Sequence, residues 1–147
     1  MDAKIKNLID SLSFEEITSE RKLVLEELIK YVQQKKNTGV SITLNFICTH
    51  NSRRSQFSQV WAQVAAAFYS MEVKSYSGGV EVTACNERTI ASLKRSGFDV
   101  LTDGEINPFY TVKWGQGITG LCLFSKVFDA KENPKENFAA IMTCAHA

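Results

Sequence analysis

Cys48, Arg54 and Ser55 are the residues of this chain whose types and spacing could do chemistry together. They stand in one short polar run, Cys48-Thr49-His50-Asn51-Ser52-Arg53-Arg54-Ser55-Gln56. A free cysteine titrates near about 8.5, and a helix N-terminus or a neighbouring cation lowers that value. The thiolate is the nucleophile, so such a setting makes Cys48 reactive near neutrality. The Ser55 hydroxyl has a proton to donate to that thiolate, or to a departing one. Arg54 offers a planar fork of donors that matches two oxygens of a phosphate or another tetrahedral oxyanion. Asn51 carries both donors and an acceptor, which suits it to bracing the loop from within.

The flanking residues must position this run. Residues 40–47 alternate apolar and polar side chains and are rich in β-branched and aromatic types, the pattern of a strand. Residues 56–68 place apolar side chains three and four apart, the pattern of a helix. A cysteine therefore ends a strand, and a polar loop leads into a helix. Such a loop aims backbone N–H groups at one spot with the helix N-terminus behind them, and that spot suits an anion. By itself, a cysteine six positions before an arginine is a weak pattern. A buried strand-end cysteine and a solvated arginine give the same spacing; the strand, the helix and the adjacent Ser55 favour the chemical reading.

The run from Cys48 to Gln56 resembles the phosphate loop of low-molecular-weight protein tyrosine phosphatases and of the thioredoxin-coupled arsenate reductases that share their fold. Residues 76–81 resemble the second strand of that family and its turn, residues 86–99 its next helix, and residues 139–147 the strand that closes on a redox cysteine in the reductases. The resemblance covers residues 42–147 and leaves out the first forty. It implies an α/β three-layer sandwich with a central parallel sheet and the anion loop at the carboxyl end of the first strand. It implies Cys48, Arg54 and Ser55 as the catalytic set, with Thr49, His50, Asn51, Ser52 and Arg53 as the rest of the phosphate-binding loop.

The leading expectation is hydrolysis of phosphotyrosine or a small phosphomonoester through a thiophosphate on Cys48. The alternative is arsenate reduction, with Cys144 as the redox partner and thioredoxin or another thiol reductant closing the cycle. A non-catalytic oxyanion-binding module is the third. In many of the reductases the position of Arg53 is itself a cysteine, and a further cysteine follows the position of Cys144. The resemblance also implies an aspartate in an Asp-Pro pair beyond Cys144 as general acid. Asp99, Asp103 and Asp129 precede that point, and none is followed by proline. The expectation is a chain that lacks the general acid, the last strand and the last helix, is slow on poor leaving groups, and self-associates by edge pairing or by exchange of an element such as the N-terminal helices; the alternative is that those helices cover the vacated face within one chain.

The composition narrows the partners. Lys plus Arg is 17 and Asp plus Glu is 16, so no charge excess argues for nucleic acid or an anionic membrane. No apolar run approaches the roughly 20 residues of a spanning helix. Four cysteines without a signal-like N-terminus point to a reducing cytoplasm. The Cys48/His50 and Cys144/His146 pairs match no common zinc spacing, so no metal is expected. Gln59 and Ser77 lie where the reductases surround a potassium ion, but glutamine in place of a carboxylate argues against a tight site. No other cofactor is expected.

Along the chain, residues 1–38 read as a helical extension, with apolar stripes at Ile5, Leu8, Ile9 and Leu12 and at Leu23, Leu25, Leu28, Ile29 and Val32. Ser13 or Thr18 would cap the second helix and Gly39 would stop it. Residues 39–147 read as the phosphatase-like domain, with alternating strands and helices from Val40. Gly78-Gly79 reads as a turn, and Gly97 as a helix C-cap. Residues 109–114 and 120–125 flank Gly115-Gln116-Gly117 as a hairpin inserted into the family's pattern. Its aromatics, Phe109, Tyr110 and Trp114, either pack or wall the cleft. The continuous apolar run of residues 138–144 reads as a central strand buried on both faces.

Overall fold

In the computed structural model, which describes residues 1–147, the alternating run becomes β1 (Ile42–Cys48) and the run after the loop becomes α3 (Arg54–Phe68). β2 (Val73–Gly79) follows, then α4 (Glu87–Arg95), β3 (Asp99–Asp103), β4 (Phe109–Lys113), β5 (Leu121–Leu123) and β6 (Ala139–Met142). β1 lies between β2 and β6, parallel to both. The chain is thus α/β, with a three-stranded parallel sheet flanked by helices. Ile42, Leu44 and Phe46 of β1 pack with Val73 and Ala66, and Leu28, Tyr31 and Val32 of α2 (Ser19–Thr38) lie against them. The Tyr31 hydroxyl donates to the Thr43 carbonyl, which pins α2 to the sheet.

A second, larger apolar cluster lies on the other side of α3. Val60 and Val64 meet Ile90 and Leu93 of α4, Phe98, Val100, Tyr110, Val112 and Leu123. The last four come from a separate antiparallel sheet in the order β3-β4-β5. Ile5 and Ile9 of α1 (Ala3–Asp10) complete this cluster. One helix therefore walls two cores, which explains why residues 56–68 are apolar around so much of their circumference.

Several sequence expectations are corrected here. Residues 1–38 hold two helices, but the helical pattern is interrupted between them: α1 ends at Asp10, a single 3-10 turn spans Phe14–Glu16, and α2 starts at Ser19 under a Thr18 cap. Leu8, Leu12, Leu23 and Ile29 are exposed, because each helix meets the body along a strip narrower than its apolar face. The hairpin is there, but β3 extends it to three strands. Residues 138–144 hold not a central strand but the edge strand β6, whose residues are half-buried or exposed. Gly78 and Gly79 are the last residues of β2 rather than a turn.

β2 is the other edge, and side chains blunt it. Gln63 Nε2 donates to the Val73 carbonyl while Gln63 Oε1 accepts from the Ser75 N–H. Gln59 Nε2 donates to the Ser75 carbonyl, and Asn133 Nδ2 to the Ser77 carbonyl. Gly79 closes the row by pairing with Lys126 and Phe128. An edge strand with its free groups paired offers no template to a foreign strand.

Gly79 also touches the loop. A Cβ at this position would stand 2.6 Å from the Asn51 backbone nitrogen and 2.8 Å from the Thr49 carbonyl oxygen. Both are main-chain atoms, so neither swings aside. Gly79→Ala is expected to cost about 1–3 kcal/mol, as overpacking does, and to change the rate of Cys48 alkylation by moving the loop. A variant with wild-type melting temperature and alkylation rate would contradict this close packing.

Candidate active site

The loop leaves β1 at Cys48 and enters α3 at Arg54. Asn51 makes the turn possible by taking a left-handed backbone, φ 43°, a conformation asparagine tolerates better than most residues. Its buried side chain then holds three parts together. Asn51 Oδ1 accepts from the Lys126 backbone N–H at 3.0 Å, which identifies the other end of the amide as the donor. Asn51 Nδ2 donates to Ser55 Oγ at 2.8 Å. Ser55 Oγ also lies 3.0 Å from Cys48 Sγ, and toward a thiolate, which has no proton to give, the hydroxyl is the donor. Gln56, also buried, donates through Nε2 to the carbonyls of Asn51 and Phe124.

Burial pushes the Cys48 thiol up, but the Ser55 hydroxyl and the backbone N–H groups of Ser55, Ser52 and Asn51 outweigh it and bring it below the ordinary value. The first turn of α3 has no side-chain cap, so its N–H groups remain directed at the loop. A thiolate held this way is a nucleophile whose donors also suit a tetrahedral oxyanion beside it. Ser55→Ala removes the largest of the interactions that favour the thiolate. The midpoint of Cys48 alkylation against pH is therefore expected to move to higher pH, with slower reaction at neutrality. Peptide-resolved alkylation with iodoacetamide measures it, and an unmoved midpoint would show that the backbone alone sets the thiolate.

A cleft of about 370 Å³ opens over Cys48, lined also by His50, Ser52, Arg53, Arg54 and Thr83. Both arginines are exposed and reach it. His50 is at the rim, with Nε2 3.4 Å from a Glu81 carboxylate oxygen. The His50 carbonyl accepts from the hydroxyls of Ser125 and Thr83, and Ser52 Oγ donates to the Ala84 carbonyl. Ser125, Thr83 and the Lys126 backbone hold the loop from sixty or more positions away or from an irregular segment, and no local sequence signal marks them. The hairpin aromatics do not wall this cleft. Tyr110 and Trp114 are buried in the larger core, and Phe109 stacks on Phe124 outside it.

Cys144 reaches the loop from its other side. Thr143 N–H and Thr143 Oγ1 both donate to the Ile47 carbonyl, which carries the β1–β6 register past the last paired residues. Thr49 and Cys144 come face to face, with Thr49 Oγ1 and Cys144 Sγ 3.5 Å apart. The Thr49 hydroxyl brings the Cys144 thiol below its ordinary value against the cost of burial; the backbone N–H groups of His146 and Thr49 and the charge of Arg54 add to the lowering. The other two thiols go the opposite way. Burial pushes Cys85 up to about 12 and raises Cys122 as well. The two thiols that are lowered are the two that the fold brings to one loop.

Gln59 and Ser77 are hydrogen-bonded to each other, Ser77 Oγ donating to Gln59 Oε1 at 2.6 Å, and no cluster of three or more His, Cys, Asp or Glu side chains is placed to hold a metal. No helix is long and apolar enough to cross a membrane.

The chain is 38% identical over 58 residues to arsenate reductase 2 of Staphylococcus haemolyticus, and 39% identical over 59 residues to an arsenate reductase of Staphylococcus aureus. Each match takes in 40% of this chain and 42% of the relative, so the chain spans about two fifths of the length of the curated relatives it matches. These matches support kinship with the arsenate reductases at that level. No family model and no solved structure matches the chain.

Proposed function

We propose that this chain reduces arsenate, with Cys48 as nucleophile and Cys144 as the second thiol. The observation that carries this reading is the meeting of Cys144 with Thr49 at the rim of the Cys48 loop, with both thiols lowered. The matched relatives, which are named arsenate reductases, support it. Cys48 attacks arsenic(V), an S–As bond forms, and one oxygen leaves as water with protons from solvent. Arg54 and the loop N–H groups hold the remaining oxygens. The Cys144 thiolate then attacks Cys48 Sγ. The S–S bond forms as the S–As bond breaks, and its electron pair stays on arsenic, which departs as arsenite. Two thiolates have become one disulfide and arsenic has gained two electrons. A thiol reductant of the thioredoxin class returns the protein to its dithiol.

A single turnover without external reductant tests this. One arsenite per chain and a Cys48–Cys144 linked peptide are expected; arsenite without that peptide, or no arsenite, would overturn the assignment.

Phosphomonoester hydrolysis is the second reading, favoured by the same loop, because attack of Cys48 on phosphorus and hydrolysis of the thiophosphate need no second thiol. The side chains lining the cleft include no carboxylate to protonate a leaving oxygen. General acid catalysis contributes about 10²–10⁴-fold, so by this reading activated aryl phosphates are turned over and alkyl phosphates barely. Oxyanion binding without turnover of either substrate would leave a binding module.

A further inference from the structure

A larger cavity, about 670 Å³, lies at the outer edge of β2 and shares no lining residue with the Cys48 cleft. Its floor is the polar seam of Gln59, Gln63 and Ser75, and its far wall is aromatic and aliphatic: Phe109, Trp114, Ile118, Leu121 and Phe124. Lys126 enters it from the segment after β5. Only 6% of Lys126 is exposed, and its ammonium lies 4.6 Å from the centre of the Phe124 ring. None of the four ion pairs of the chain includes Lys126.

The Lys126 side chain is buried along its length with an aromatic face beside its ammonium, and no carboxylate, Glu132 of the same cavity included, stands within ion-pair distance of it. Burial accordingly pushes Lys126 down to about 8, against the pull of Cys122, Glu132 and Cys85. Lys74 also lines the cavity and Glu132 is its one carboxylate, so its charge is positive on balance. Its size lies within the ~300–1,000 Å³ of small-molecule sites, which are mostly apolar with a few placed polar groups.

We propose that this cavity binds a small amphipathic carboxylate, its acid group on the Lys126 ammonium and its apolar body against Phe109, Trp114, Leu121 and Phe124. The carboxylate supplies the close ion pair that Glu132 does not make, and the aromatic wall takes up the hydrocarbon. The amide of the Gln59 side chain is already engaged with β2 and Ser77, so the lysine is the group that selects the sign of the ligand. This site does not depend on what the Cys48 loop does.

Calorimetric titration of the whole chain with 4-phenylbutyrate, and with 4-phenylbutanol as the uncharged analogue, tests the assignment. Saturable binding of the acid is expected at millimolar concentration or below, with the alcohol weaker by about tenfold or more, the scale of a lost charge-assisted hydrogen bond. Lys126→Met is expected to bring the acid down to the level of the alcohol and leave the alcohol unchanged. Excess orthophosphate is expected not to compete. Equal binding of acid and alcohol by the wild-type chain, displacement by orthophosphate, or no saturable heat would each overturn the proposal. The acid–alcohol comparison needs no variant, so it stands even where Lys126→Met fails to fold.

Discussion

Cys144→Ser is expected to abolish steady-state arsenate reduction while leaving hydrolysis of an activated aryl phosphate essentially unchanged. Serine keeps the size of the side chain and a hydroxyl opposite Thr49, so the β1–β6 contact survives. What goes is the thiolate that, in the proposed reaction, attacks Cys48 Sγ. The loss should be on the order of 10⁴-fold or more, the scale on which an enzyme loses one of two groups that act as a unit. The variant should still form the Cys48 adduct and stop there. A Cys144→Ser chain that reduces arsenate normally would remove Cys144 from the mechanism. One that loses both activities would make Cys144 a structural support of the loop.

Arg54→Ala should cost about 10²–10³-fold in turnover, as the loss of one preorganised donor to a developing oxyanion does, and Arg53→Ala far less. Both arginines are exposed and both line the cleft, so exposure does not separate them. Electrostatics does: the Arg54 charge acts on the Cys144 thiol, and Arg54 opens α3 directly behind the Cys48 donors. Removing it lifts a stabilising charge from the Cys144 thiolate. The Cys144 pKa then rises, and the disulfide-forming step moves to higher pH in Arg54→Ala but not in Arg53→Ala. kcat/KM on an aryl phosphate and the pH profile of a single arsenate turnover measure the two effects. Equal losses from both variants would show that either guanidinium serves the anion.

The strand–loop–helix unit around Cys48 was legible because its parts are contiguous. Alternation gave β1, the i, i+3, i+4 spacing gave α3, and the polar run between them had no other place to go. Helix ends were legible for the same local reason: Thr18 caps with its side chain, and Gly39 and Gly97 take the left-handed backbone that ends a helix. The separation into two cores was not legible, because an apolar side chain does not say which neighbour will cover it. Leu23 and Ile29 match Leu28 and Val32 in type and yet lie in solvent.

The apolar run of residues 138–144 suited a strand buried on both faces, and pairing order alone made β6 an edge. The amino-acid sequence by itself determined a thiol at a strand end, a guanidinium six residues on and a helix behind them, since backbone geometry over nine residues is a local matter. Only the tertiary structure brought Thr49 to Cys144, the Lys126 backbone to Asn51 and the bare α-carbon of Gly79 under the loop. Those contacts join segments 28 to 95 positions apart. They follow from strand register and the close packing of backbone on backbone, which no short stretch of residues encodes.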